Sequence, residues 1–404
     1  MLSMPHIDPQ LSPLLLAGGL SPLQLKGRQL LPIVQGGMGV GVSAHRLASA
    51  VANAGGMGTI SAIDLRRLHP DLLTRSREAG VGDSAKAVID ALNLEALARE
   101  IKAARAAMQG RGLLAVNVMR AVSEYTALVQ QALASGADAI VVGAGLPLDL
   151  PDLASDHPHA LLIPILSDAR GVQLLVRKWE RKGRLPDAIV LEHPRLAGGH
   201  LGAAKVADLN DPRFDFENAI PQIKTFLRSA GIEADIPLIA AGGVRSFEDI
   251  HRLQSMGAAA AQLGTAFAVT LECDAHPEFK KVLAEAQDED MVEFTSVAGL
   301  PARAVHTPWL KNYLKAEPKL QAVARKKVRC TLAFDCLAQC GLRDGISTIG
   351  QFCIDKQLGA ALRGDRQKGL FFRGVGALPF GDQIRSVGSL MAHLLEPTPV
   401  ASAS

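Results

Sequence analysis

The chain lacks an excess of charge of either sign. Its 43 Lys and Arg against 40 Asp and Glu leave a formal net charge of +3. The basic face that neutralises a phosphate backbone is missing, so nucleic acid is not an expected partner. No apolar run is long enough to span a bilayer, which argues against a membrane protein. Residues 1–10 lack a charged segment followed by an apolar core, so no secretory signal is expected and the expected compartment is the cytoplasm. Cysteine is sparse and odd in number, five in 404 residues, which argues against a secreted disulfide framework. No Gly-x-Gly-x-x-Gly follows a strand-like run, so a separate dinucleotide domain is not expected. NAD(P)H stays open, because a nicotinamide can stack directly on another cofactor.

What remains is 48% hydrophobic and 21% charged, which is ordinary for a soluble globular enzyme, and the expected partner is a small-molecule substrate. The length favours one large domain or a barrel with an appendage. Eight apolar runs read as strands: 31–35, 58–61, 113–118, 139–142, 161–166, 188–191, 236–241 and 260–263. Most are rich in Val, Ile and Leu without strict alternation, as a parallel sheet covered by helices requires. Helical periodicity lies between them, at 44–54 with Ser43 as its cap, and at 123–134, 169–182 and 246–256. This alternation predicts an α/β protein, a (β/α)8 TIM barrel over residues 1–272, with an open doubly wound sheet as the alternative. Residues 64–112 are too long for one connection and contain an amphipathic run at 88–108. They are expected to be an insertion after strand two, a lid or a homodimer element. Residues 273–396 are expected to form a mostly helical extension packed back on the barrel, and 397–404 a disordered tail.

Of the 38 glycines, most fall in short clusters, and five clusters sit at the predicted strand ends, where a barrel builds its active site. They are Gly36-Gly37-Met38-Gly39, Gly143-Ala144-Gly145, Gly198-Gly199-His200, Gly242-Gly243 and Gly264-Thr265. Repetition at equivalent positions points to a large planar or phosphorylated ligand against bare backbone. The pair after strands seven and eight suits phosphate, because freed N–H groups and a helix N-terminus face the anion. Relief of crowding at the rim is the plainer explanation. A non-redox barrel enzyme acting on a phosphorylated metabolite would use the same site.

Together, Pro32-Ile33-Val34-Gln35-Gly36-Gly37-Met38, Ala54-Gly55-Gly56-Met57-Gly58, Gly198-Gly199-His200, Ala241-Gly242-Gly243 and Gln262-Leu263-Gly264-Thr265 resemble the nitronate monooxygenase family. The family also takes in flavin-dependent enoyl-acyl-carrier-protein and quinone reductases. The likeness spans roughly residues 30–270. It implies non-covalent FMN and oxidation of alkyl nitronates with dioxygen, or else NAD(P)H-dependent reduction of enoyl thioesters or quinones. It places Gln35, Gly36 and Met38 against the ring, Asn117 at a polar edge and Ser167 at a further flavin contact. Gly199, Gly242, Gly243, Gln262, Gly264 and Thr265 would hold the ribityl phosphate. Asn117 also reads as a strand-end cap, and Ser167 as a helix N-cap.

His200 is the candidate catalytic base, presented by two glycines and titrating near neutrality. The family commonly has Glu directly before its Ala-Gly-Gly-His run, where this chain has Leu196. The nearest acid is Glu192, in Glu192-His193-Pro194-Arg195. His193 is therefore a rival base, and Arg195 could attract an anionic substrate. Cys330, Cys336, Cys340 and Cys353 are spaced x5, x3 and x12. They read as ligands of an iron–sulfur cluster or zinc, with Lys326, Lys327 and Arg329 as balancing charge, or as small buried apolar residues.

Overall fold

A computed structural model of the chain describes residues 6–80, 82–233, 235–327, 330, 332 and 334–398. Eight parallel strands close into a barrel. They are β1 (Ile33–Gln35), β2 (Met57–Ser61), β3 (Leu113–Met119), β4 (Ala139–Gly143), β5 (Leu161–Leu166), β6 (Ile189–Glu192), β7 (Leu238–Ala241) and β8 (Ala260–Leu263). Closure joins β8 to β1, with Ala261 opposite Ile33 and Leu263 opposite Gln35. Alternate residues explain the continuous apolar runs. Leu161 and Ile163 fill the barrel interior, while Leu162 packs outward under the helices. The interior is floored by a hairpin, Leu23–Leu25 with Arg28–Leu30, whose Leu23, Leu25 and Leu30 are buried beside Val34, Met57 and Leu113.

The helices of the ring are α1 (His45–Ala54), α2 (Asp83–Ala107), α3 (Tyr125–Ala134), the single turn α4 (Leu150–Leu153), α5 (Ala169–Glu180), α6 (Phe216–Ser229), α7 (Phe247–Met256) and α8 (Val387–Leu395). Three expectations change here. The run read as a lid or dimer insertion is α2, which buries Leu92, Ala96, Leu97 and Ile101 against α1 and α3. It is the second helix of the ring, and only the stretch before it is inserted. The eighth helix also arrives late, because α8 sits against α1 and α7 after the whole extension has passed. Ser43 does not cap α1. Asp274 does, accepting from the N–H groups of Ala44, Arg46 and Leu47 at 2.9, 3.2 and 3.2 Å.

The extension is less helical than expected. It carries an antiparallel hairpin, Met291–Thr295 with Pro301–Val305, which pairs with the short strand Gly199–His200. Its own small core gathers Phe294, Val297, Leu310, Tyr313 and Phe352. Among the described residues, no helix is long and apolar enough to cross a membrane. The part of the expected tail at 399–404 lies outside the described residues.

Candidate functional site

A cavity of about 560 Å³ opens at the C-terminal ends of the strands. All five glycine clusters line it, together with Asn117, Ser167, Glu192, Gln262 and Thr265, and a strap at 372–379 crosses above. Several of these glycines serve a specific steric need. A Cβ on Gly37 would lie 2.3 Å from Asn117 Cβ, so only glycine lets the loop after β1 pass that side chain. Gly242 and Gly243 have φ of 108° and 75°, in the left-handed region that favours glycine. Gly264 differs, since a Cβ there would meet only Met38 Sδ, at 3.8 Å. Nothing in the protein requires that glycine, and the room beside it belongs to the cavity. Ser43 holds the first loop, with its Oγ accepting from Met38 N at 2.9 Å. Thr265 Oγ1 accepts from Gly374 N at 3.0 Å and fastens the strap to the rim.

Gln35 is not brought to this cavity. It is fully buried in the barrel wall, where its Oε1 accepts from Thr59 N at 2.7 Å and its Nε2 donates to Gly36 O. As the last residue of β1 it points between strands, and its amide is already satisfied. Asn117 lines the cavity and donates from Nδ2 to Val141 O at 3.3 Å. Ser167 lines it too and is not the cap of α5. Asp168 takes that role, accepting from Gly171 N at 2.7 Å.

His200 stands in the cavity wall. Its Nε2 shares a hydrogen bond with Ser296 Oγ (3.1 Å), and its ring tilts against Phe372 with centroids 5.4 Å apart. Enclosure without a charged partner pushes it down to about 4. The expectation of an imidazole titrating near neutrality is therefore corrected: His200 is neutral at pH 7 and a weak proton acceptor. The loop before it is gripped by the extension. Arg303, almost completely buried, donates to Pro194 O at 3.2 Å and to Ala197 O, and pairs with Glu293 at 2.5 Å.

The rival base faces elsewhere. His193 is buried outside the cavity lining, with Nε2 3.2 Å from Asp215 and its ring edge-on to Phe216. Arg195 Nη2 donates to the same Asp215 at 2.9 Å, so neither residue reaches the mouth. Glu192 does. Burial raises its carboxyl to about 7, and as a strand-end acid beside the glycine loops it was visible in the sequence.

The cysteines are near one another but are not assembled as a ligand set. Among the described residues, no group of three or more His, Cys, Asp or Glu is placed to hold a metal ion. All four tail thiols are free, and burial pushes Cys336, Cys340 and Cys353 up. Cys336 contributes to the cavity wall as a small apolar group. Arg329 lies outside the described residues.

A family model described as nitronate monooxygenase matches residues 25–397. A probable nitronate monooxygenase of Bacillus subtilis (strain 168) is 28% identical over 288 residues, covering 70% of this chain and 78% of that protein. One from Staphylococcus saprophyticus is 24% identical over 288 residues, with 69% and 76% covered. Among solved structures, FabK from Thermotoga maritima superposes with a TM-score of 0.61 at 21% identity, over 96% of this chain and 95% of that one. Nitroalkane oxidase from Streptomyces ansochromogenes does so at 0.61 and 20%, over 94% and 96%. These two likenesses show a shared fold. The extent of the family match settles the assignment: the chain belongs to the nitronate monooxygenase family and is an oxidoreductase.

Proposed function

We propose that the chain is an FMN-dependent oxidoreductase that oxidises alkyl nitronates with dioxygen. The observation that carries this reading is the convergence of the loops after β1, β7 and β8 on one cavity, with an open cradle at Gly264 that no protein atom fills. Gly242, Gly243, Gly264 and Thr265 would hold the phosphate, with Gly199 and Gln262 beside them. Gly36, Met38, Asn117 and Ser167 would face the ring. When bound, FMN would supply an electron carrier that links oxidation of the substrate to reduction of dioxygen. The chain's own residues exclude water and orient the substrate. Met119, Val122, Phe334, Leu337 and Leu370 give the cavity an apolar wall for an alkyl group. Neutral His200 stands beside it as a hydrogen-bonding group for a polar substrate end.

The test is anaerobic mixing of FMN-loaded protein with ethyl nitronate, NADH and NADPH in turn. Bleaching of the flavin by ethyl nitronate is the expected result. Bleaching by a nicotinamide alone would overturn the nitronate reading, and failure to take up FMN would overturn the cofactor.

A further inference from the structure

The even overall charge conceals one basic face. The helix Pro308–Ala322 and the turn after it carry Lys311, Lys315, Lys319, Arg325, Lys326 and Lys327. Glu317 is the one carboxylate in residues 308–327. Six cations less one anion give this stretch a net charge of +5, in a chain whose total is +3. The expectation, drawn from the total, that the chain has no basic face is corrected here. All of these cations except the half-buried Lys327 are exposed. Among the described residues, none of the six side chains makes an ion pair or a hydrogen bond. Glu317 is turned to the buried Tyr313, whose Oη donates to it at 2.7 Å.

What lies beneath the face fixes it. Leu310 and Tyr313 are buried in the small core of the extension, with Trp309 and Leu314 packed against it. Residues four apart share a side of a helix, so Lys311, Lys315 and Lys319 form one outward stripe. Val323, four residues further and 72% exposed, continues the stripe beside the exposed Leu320. The turn is held as well. Lys327 N donates to Arg343 O at 2.9 Å, and Gly345 lies so close to the backbone of Arg325 and Lys326 that a Cβ there would come within 2.2 Å. Like charges four apart on a helix repel, and a partner of opposite sign relieves that repulsion. The same core supplies Leu337, Ile354 and Leu370 to the cavity wall.

We propose that this face attaches the protein to an anionic lipid surface, from one side and without a spanning segment. Two observations favour lipid over an acidic protein. Five of the six cations are Lys, a compact point charge that suits a diffuse layer of phosphates. Protein interfaces instead favour Arg and are depleted in Lys. Exposed Leu320 and Val323 also lie in line with the lysines, where they enter the boundary between headgroups and acyl chains. Duplex nucleic acid offers the charge but no apolar layer for these two side chains. The attraction acts over about one Debye length and requires no pocket.

The test is flotation of the full chain with vesicles of phosphatidylcholine, alone or with about one-third phosphatidylglycerol, at low and high salt. The expected result is binding to the anionic vesicles at low salt, its loss at high salt, and none to phosphatidylcholine alone. Each Lys near such a surface contributes about fivefold, so Lys311→Gln, Lys315→Gln and Lys319→Gln combined should weaken binding by about 100-fold. The urea midpoint of that variant should stay unchanged, because the three side chains have no partner to lose among the described residues. Val323→Ser should weaken binding by about threefold. Lys102→Gln with Lys178→Gln, at exposed lysines of α2 and α5, should change it by less than about twofold. Equal binding to both kinds of vesicle, or an equal loss in this last variant, would overturn the proposal. So would a chain that binds polyglutamate or duplex DNA but not the anionic vesicles, or a wild-type dimer that sedimentation shows the triple variant to dissociate.

Discussion

The two sides of the cavity are held in different ways. On the side of β1, β7 and β8, short-range contacts keep the glycine loops in shape: Ser43 with Met38, Asp249 with the N–H of Arg245 at 2.8 Å, and Gly264 O with Phe267 and Ala268. On the β6 side, the loop carrying His200 depends on residues about a hundred positions later. Ala302 pairs with His200, Ser296 bonds its ring, and Arg303 grips the carbonyls of Pro194 and Ala197. The first side is a rim that a barrel makes for itself. The second is a wall that the extension must complete.

This contrast can be broken most forcefully at Arg303. Arg303→Ala leaves Glu293 and two carbonyls without their donor, and breaking a buried pair costs about 3–5 kcal/mol. Glu293 is partly exposed, so the lower end is expected. Urea unfolding should show that loss, with the His200 loop freed while the glycine rim keeps its form. A loss under about 1 kcal/mol would mean the wall stands without its grip. The opposite test acts on the rim. Gly264→Val projects into space bordered only by Met38, so flavin-free protein should keep its unfolding midpoint. FMN affinity measured by fluorescence titration should fall by about 100-fold, equivalent to about 2.8 kcal/mol. A fall in stability without a change in affinity would show that the cradle is not a ligand site.

What the sequence revealed follows the same division. The run at 161–166 was readable because both faces of a barrel strand are buried, and glycines such as Gly37, Gly242 and Gly243 because each answers a local steric demand. Ser246, the first residue of the run read at 246–256, caps α7, accepting from Asp249 N at 3.3 Å. Ser43 looked identical, but its helix is capped by Asp274, some 230 positions away. The eighth helix was illegible for a related reason, since its periodicity says nothing about which gap in the ring it fills. Gln35 misled because a strand's last residue can point to the mouth or into the wall, and only the position of Thr59 decides. His200 was found as a cavity residue, but its proton affinity depends on enclosure by the extension.

A smaller effect separates Glu192 from His200 through pH. Glu192 ordinarily titrates at 4.5 and in the fold at about 7, so the native chain holds the extra proton between those values. Its contribution to stability therefore falls as pH rises through that window. His200 moves from 6.5 to about 4, so its contribution rises between about 4 and 6.5. The two slopes oppose one another in the wild type. Glu192→Gln should leave a stability that climbs with pH across this range, and His200→Gln one that declines, as read from urea midpoints of flavin-free protein. Parallel curves for the two variants would show that the wall does not set these charges.

The smallest effect is expected at Arg195, and its smallness is informative. In sequence it sits five residues before His200, where a cation would draw in an anionic nitronate. In the structure it is 47% exposed, bonds Asp215, and lies outside the cavity lining. An exposed pair of this kind is worth at most about 1 kcal/mol. Arg195→Ala should therefore change stability by less than that and the KM for ethyl nitronate by less than about twofold, equally at low and high salt. A tenfold rise in KM that added salt abolishes would place the guanidinium at the mouth during turnover. The loop after β6 would then have to leave Asp215 and slide past Arg303, and the wall would be a moving part.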